Sequence, residues 1–187
     1  KSWLQGALDS YVKIESNQLR LTAAIESGGR AAADLIPVYQ RYAAAIANTT
    51  TETTGSVMAL FRQAEIFGVS GDAAHRAVQN AIALGAAHER GADSFLRATT
   101  MMEQGNTRML GRLIPGLQGI RDQGVLMTRV QQRIAAGMRV AQAETQGLGG
   151  QLIKLKQEME AVITKQFGPT VAAGFKPLVE MARSAVK

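Results

Sequence analysis

The fold of this chain is decided by residues 117–162, which read LQGIRDQGVLMTRVQQRIAAGMRVAQAETQGLGGQLIKLKQEMEAV. Apolar side chains recur there at alternating intervals of three and four residues, the heptad pattern of a helix with one apolar seam. In this register every d position is apolar, whereas three of the a positions are not. We therefore predict a long coiled-coil helix over residues 117–166, about 70 Å in length.

An amphipathic helix of this length has two structural alternatives. It can fold back against the rest of the chain, or it can associate with copies of itself. The Gly149-Gly150 pair would allow a hairpin, but the heptad register continues unchanged across it, which favours parallel self-association. The predicted self-association seam consists of Leu117, Ile120, Met127, Ile134, Met138, Ala141, Leu148, Leu152, Leu155, Met159 and Val162.

The remaining residues also have helical periodicity, interrupted by Gly, Asn and Pro. Residues 1–47 are predicted to form N-terminal helices with a coiled-coil-like seam, and residues 48–55 a Thr-rich linker. Residues 56–116 are predicted to form a bundle of short helices, and residues 167–187 a Pro-kinked C-terminal helix. The predicted fold class is all-α, with extended helices that carry heptad seams and a small central helical bundle.

Within the short-helix bundle, the helix boundaries have recognisable local signals. Ser70 is placed to cap a helix that continues through Leu84, and Asp93 is placed to cap the next one. Gly105-Asn106 then predicts a break before a short apolar piece. Helices this short are not stable alone, so we expect them to pack on one another.

The charge of the chain is unevenly distributed. Residues 1–93 contain 8 Lys and Arg against 9 Asp and Glu, whereas residues 94–187 contain 13 against 6, which together give the net charge of +6. Seven of the arginines lie between Arg97 and Arg139. This skew predicts either an acidic partner, such as nucleic acid, a phospholipid surface or an acidic protein wall, or a face that only aids solubility.

No motif in the sequence indicates catalysis. The chain has no Cys, which excludes disulfides, thiolate metal sites and Cys nucleophiles. His75 and His88 are thirteen residues apart, unlike a helical metal pair, so we interpret both as ordinary solvated histidines. Glu158 and Glu160 lie on different sides of their helix and cannot act as an acid–base pair. We expect no enzyme activity, no cofactor, no metal and no small-molecule substrate.

The arginine-rich stretch lacks the side chains that usually read nucleic acid. No Phe, Tyr or Trp lies between Arg97 and Arg139, which disfavours recognition of single strands by stacking. We therefore expect no sequence-specific nucleic-acid partner. Four arginines of the long helix fall outside the a and d positions and are predicted to point away from the coiled-coil axis: Arg121, Arg129, Arg133 and Arg139.

A series of short Gly- and Ala-containing segments follows in a fixed order between residues 67 and 115 and again within residues 154–181. The segments are Phe67-Gly68-Val69-Ser70-Gly71-Asp72-Ala73-Ala74, Ala77-Val78, Ala81–Gly85, Gly91-Ala92-Asp93, Phe95-Leu96, Gln104–Leu110, Phe167-Gly168-Pro169 and Lys176-Pro177-Leu178. In order and spacing the segments of residues 67–115 resemble the tail tape measure proteins of long-tailed bacteriophages, and the C-terminal ones are similar to the glycine and proline-leucine endings of helical segments in that family. The chain is shorter than most members and lacks the hydrophobic segments that they often carry.

The resemblance implies a structural role in a virion. Helical copies, commonly three, would lie in the lumen of the tail tube, set the tail length during assembly in the host cytoplasm, and leave ahead of the DNA at ejection. The implied partners are the chain itself as a homotrimer, the tail tube protein, and the tail tip and distal tail proteins. The four outward-pointing arginines would then face the tube wall. The alternatives are a cellular helical coiled-coil adaptor or signalling module, and a basic amphipathic protein that binds membrane or nucleic-acid surfaces.

Overall fold

The computed structural model describes residues 16–147, 149–155 and 158. No strand occurs among these residues, most of which are helical, and the all-α prediction is confirmed. Residues 149–155 form a further helical stretch after the last helix named below. In chain order the helices are α1 (residues 16–27), α2 (Ala32–Thr49), α3 (Thr54–Ile66), α4 (Gly71–Ala87), α5 (Asp93–Glu103), α6 (Arg108–Leu113) and α7 (Gln123–Gln146).

Three helices end in the same glycine turn. After α1, α3 and α5, a glycine at positive φ stands one residue beyond the C-cap, at Gly29, Gly68 and Gly105. After α3, for example, the Gly68 amide donates to the Glu65 carbonyl (2.9 Å) and the Val69 amide to the Ala64 carbonyl (3.0 Å). This pair of hydrogen bonds defines the Schellman motif, which satisfies the last carbonyls of a helix and reverses the chain. These turns bring consecutive short helices back against one another.

Helix α4 lies at the centre of the domain and contacts α2, α3, α5 and α7. Two glycines allow its closest contacts. A Cβ at Gly85 would lie 2.7 Å from the Arg90 carbonyl oxygen, and a Cβ at Gly137 of α7 would overlap the Ala83 carbonyl. Side chains cannot occupy either position without moving the backbone. Gly85 lets the loop after α4 approach that helix, and Gly137 lets α4 and α7 cross with their main chains nearly touching.

A single hydrophobic core runs through the described helices. It extends from Leu21 and Ile25 on α1, through Tyr39 and Phe61, to Val130 on α7. The predicted short-helix bundle of residues 56–116 therefore shares its core with the flanking helices. The Thr-rich segment is a short turn between α2 and α3, with Thr50 buried at 2% exposure.

The predicted continuous helix over residues 117–166 is interrupted at both ends. Helix α7 begins at Gln123 and ends at Gln146, so its 24 residues span about 36 Å. Before it, Gly116 and Gly119 have positive φ, and the Asp122 carboxylate accepts from the Val125 amide (2.8 Å) as an N-cap. The prediction missed this break because the spacing of apolar residues contains no information about the backbone conformation of these glycines.

Helix α7 folds back onto α4 of the same chain. Its buried face carries mostly small residues, separated by four or seven positions, and differs from the predicted heptad seam at every residue except Ala141. The close approach of the two backbones selects this face, since only small side chains fit at the crossing. The buried residues of α7 are Leu126, Val130, Gly137, Ala141 and Thr145.

Candidate functional site

A buried polar cluster joins α2, α3 and α4. The Glu65 side chain is fully buried on α3, and its Oε2 accepts from Nη1 of Arg30 at 2.9 Å. Its Oε1 accepts from the Tyr39 hydroxyl and from Oγ of Ser70 at 2.7 Å. The Tyr39 hydroxyl in turn accepts from the Gly71 amide at the start of α4, at 2.8 Å. Every carboxylate oxygen of this buried charge therefore has partners, as burial requires.

The cluster is a structural joint between helices. Burial, followed by the hydrogen bond to Glu65, raises the pKa of Tyr39 to about 12, so its hydroxyl stays protonated and donates at neutral pH. The Tyr39 ring stacks on Phe61 with centroids 4.5 Å apart. Ser70 is the N-cap residue of α4 as predicted, but its side chain makes no cap hydrogen bond because the hydroxyl is bound to Glu65.

A second aromatic contact continues this joint toward the surface. The Tyr42 hydroxyl donates to Oδ1 of Asp72 at 2.6 Å, and the Tyr42 ring stacks on His75 with centroids 4.0 Å apart. Burial lowers the pKa of His75, so the stacked imidazole is neutral at pH 7. The interpretation of His75 as an ordinary solvated histidine is wrong, because Tyr42 covers one face of its ring.

His88 also lies beside an aromatic ring, at the end of α4. It is half-buried at the C-cap of α4, with its ring 5.6 Å from that of Phe95, and burial lowers its pKa. No group of three or more His, Cys, Asp or Glu residues in the described part of the chain could hold a metal ion. Each histidine packs against one aromatic ring, His75 against Tyr42 and His88 against Phe95.

The predicted self-association seam is divided by the fold. Leu117 and Ala141 are buried in the chain's own core, so they are not available to another copy. Ile120, Met127, Ile134 and Met138 are half-buried in the same chain. Leu152 and Leu155 are 67% and 54% exposed. Three seam residues lie outside the described residues: Leu148, Met159 and Val162.

The four arginines predicted to point outward are all exposed, but they do not form one group. Arg121 lines a cleft beside α6, Arg129 and Arg133 line a smaller neighbouring cleft, and Arg139 lines neither of these two. Within the described residues none of the four is ion-paired, since the ion pairs there are Arg30–Glu65 and Arg76–Glu103.

Sequence reasoning missed two features of this arrangement. The buried carboxylate had a signal, because Glu65 is four residues from Phe61 and thus falls on the apolar side of α3. The grouping of Arg121 with Arg108 and Arg112 had no such signal, since it depends on how the turn after α6 folds back.

The described residues form an all-α domain that carries exposed arginines without ion pairs among the described residues, on α7 and in the loop before it. No described helix is both long enough and apolar enough to cross a membrane. No protein-family model, curated protein or solved structure matches the chain. Functional inference therefore rests on the residues themselves.

Proposed function

We propose that this chain acts as a structural protein of a phage tail, a tape measure that lies in the lumen of the tail tube, or as the equivalent protein of a related phage-derived particle. The observation that carries the proposal is the resemblance over residues 67–115. This segment begins at the Schellman turn after α3, includes all of α4, α5 and α6, and ends at Pro115. It thus spans three complete helices of the shared core, and its glycines at positions 68, 85 and 105 stand at turns or close contacts.

The described helices fold back on one another, and this changes the mechanism that the resemblance implies. An extended helix adds about 1.5 Å of length per residue, whereas helices that fold back on one another add far less. We infer that the described residues act as a folded module at one position along the ruler, and that extended segments determine most of the tail length.

The exposed arginines support contact with an acidic tube wall. Arg129 and Arg133 are exposed on α7 and have no ion pair within the described residues. Contacts between hydrated charges of this kind are each worth about 0–1 kcal/mol and are screened by salt. They would centre the protein in the lumen without preventing its release at ejection. In this proposal the protein works as a homotrimer with the tail tube and tail tip proteins as partners.

The proposal is tested by changing the length of the protein in the particle that encodes it. We expect an in-frame duplication of residues 32–146 to lengthen the tail by much less than about 1.5 Å per added residue. As a matched control, an equal number of residues added to a predicted extended part of the same protein should lengthen the tail by that full amount. Tails unchanged by either insertion would contradict a role as ruler and favour the adaptor or surface-binding alternatives.

A further inference from the structure

A cleft of about 750 Å³ lies between the turn after α5, helix α6 and the loop before α7. This volume falls within the range of about 300–1,000 Å³ that is typical of small-ligand sites. Leu117 and Leu126 are buried and form its apolar floor, and Gly111 allows the Leu126 side chain to approach to van der Waals contact. The cleft therefore has a packed base and a defined shape.

The walls of the cleft are basic. Arg108, Arg112 and Arg121 all line it, and none of the described residues that line it is acidic. None of the three arginines has an ion pair within the described residues. Asp122, which follows Arg121 in the chain, does not line the cleft, and its carboxylate accepts from the Val125 amide as the N-cap of α7. Three unpaired guanidinium groups around one concave surface attract an anion that carries several charges.

A buried hydroxyl in the lining lacks a partner. Thr107 is 1% exposed, and its Oγ1 makes no hydrogen bond to any described residue. Three other buried atoms of the described residues also lack a partner, Nε of Arg62 and Nε2 of His75 and His88, but Thr107 is the one of the four that lines this cleft. Its hydroxyl is therefore free to donate to an acceptor from outside the chain. An anionic oxygen provides such an acceptor.

Amide side chains hold the cleft in shape. Nε2 of Gln123 donates to the Gly105 carbonyl at 3.1 Å, which ties the start of α7 to the turn after α5. Oε1 of Gln118 accepts from the Gly116 amide at 2.8 Å, which orders the loop after α6. These two hydrogen bonds fix the turn after α5 and the loop after α6, which lowers the entropic cost of ligand binding.

We propose that this cleft binds a chain of phosphate groups through Arg108, Arg112 and Arg121, with the Thr107 hydroxyl as an additional donor. Each phosphate has several acceptor oxygens, which match the forked donors of arginine. No aromatic side chain lines the cleft, so recognition is of the phosphates and not of a base. This inference does not depend on the proposed role in a phage tail.

The test is isothermal titration calorimetry of the full 187-residue chain with tripolyphosphate. The Arg112→Gln/Arg121→Gln variant should lose about tenfold or more in affinity, because each lost charge-assisted contact is strong. The matched control is Arg129→Gln/Arg139→Gln, which removes the same charge outside this cleft and should change affinity by less than about twofold. Circular dichroism should show the same helix content in both variants.

Further ligands identify the source of the phosphates. Tripolyphosphate and ATP that bind with similar affinities support recognition of the phosphates alone. Much tighter binding of ATP would show that the nucleoside is recognised and would overturn the assignment to a phosphate chain. Citrate that binds as tightly as tripolyphosphate would overturn the phosphate assignment. Equal losses in the two double variants, or binding of a short DNA duplex but not of tripolyphosphate, would show a general basic surface and overturn the proposal.

The Thr107→Val variant separates ligand binding from a structural role. Valine has nearly the same shape but no hydroxyl, so removal of an unpartnered buried donor should leave the melting temperature unchanged or raise it. Affinity for tripolyphosphate should fall by about threefold or more, the effect of one lost hydrogen bond. Unchanged affinity, together with a lower melting temperature, would contradict the assignment of Thr107 to the site.

Discussion

The crossing of α4 and α7 predicts an unusual response to a conservative substitution. In most helix interiors Gly→Ala stabilises by about 1 kcal/mol, because alanine has the higher helix propensity. In Gly137→Ala the new methyl would overlap the Ala83 carbonyl and lie 3.0 Å from Cβ of Ala87. The obstacle is backbone and cannot rotate away, so overpacking of about 1–3 kcal/mol or more opposes the propensity gain.

The net effect of Gly137→Ala should therefore be destabilising by about 2 kcal/mol, since the steric term lies at or beyond the upper end of its range. For a chain of this size we expect the melting temperature to fall by about 4–8 °C. Urea unfolding followed by circular dichroism at 222 nm measures the free-energy change directly.

The matched control for this substitution is Gly149→Ala. A Cβ at Gly149 would meet nothing within 4 Å, and the residue lies in a helical stretch, so stability should stay the same or rise by up to about 1 kcal/mol. If Gly137→Ala stabilises the chain as much as Gly149→Ala, α7 does not pack closely on α4. The outward-facing seam predicted from the heptad pattern would then regain support.

Three further predictions concern the buried cluster, pH and assembly. Tyr39→Phe keeps the ring stack but removes a hydrogen bond to buried Glu65, and should lower the free energy of urea unfolding by about 1–3 kcal/mol. Burial lowers the pKa of His75 below its ordinary value of about 6.5, so the unfolded chain binds more protons than the folded chain near that pH. Stability should therefore fall from pH 7.5 to pH 5.5, and His75→Gln should reduce this dependence of the unfolding free energy on pH in urea titrations. The Leu152→Lys/Leu155→Lys variant changes two exposed side chains, so any oligomer that buries them should dissociate in light scattering while the helix content stays the same. An oligomer that survives the two substitutions excludes these residues from the contact.

Local signals were sufficient for much of the fold. The periodicity of apolar residues and the glycines at 68 and 105 located α3 to α6 to within a few residues, because helix formation and Schellman turns depend on nearby sequence. The error came at α7, where a heptad pattern across Gly119 gave a longer helix than the backbone forms. Periodicity also could not show that Gly137 would be the point of closest contact, because that depends on the partner helix.

The candidate surface was less accessible to sequence reasoning. The excess of arginines after residue 97 and the exposure of Arg121, Arg129, Arg133 and Arg139 followed from composition and helix position. The cleft did not, because it forms only when the loop between α6 and α7 turns back beside the end of α5. Tertiary proximity of this kind has no signature in the spacing of residues along one helix.

The central claim is that the chain belongs to the tail of a phage or a phage-derived particle. Quantitative mass spectrometry of purified particles from the source that encodes it tests this claim most directly, by counting copies of the chain against the tail tube protein. The account predicts a small fixed number, three copies in each tail, that disappears from tails after ejection of the DNA. Absence of the chain from purified tails, or copies that rise in proportion to tube subunits, would contradict it.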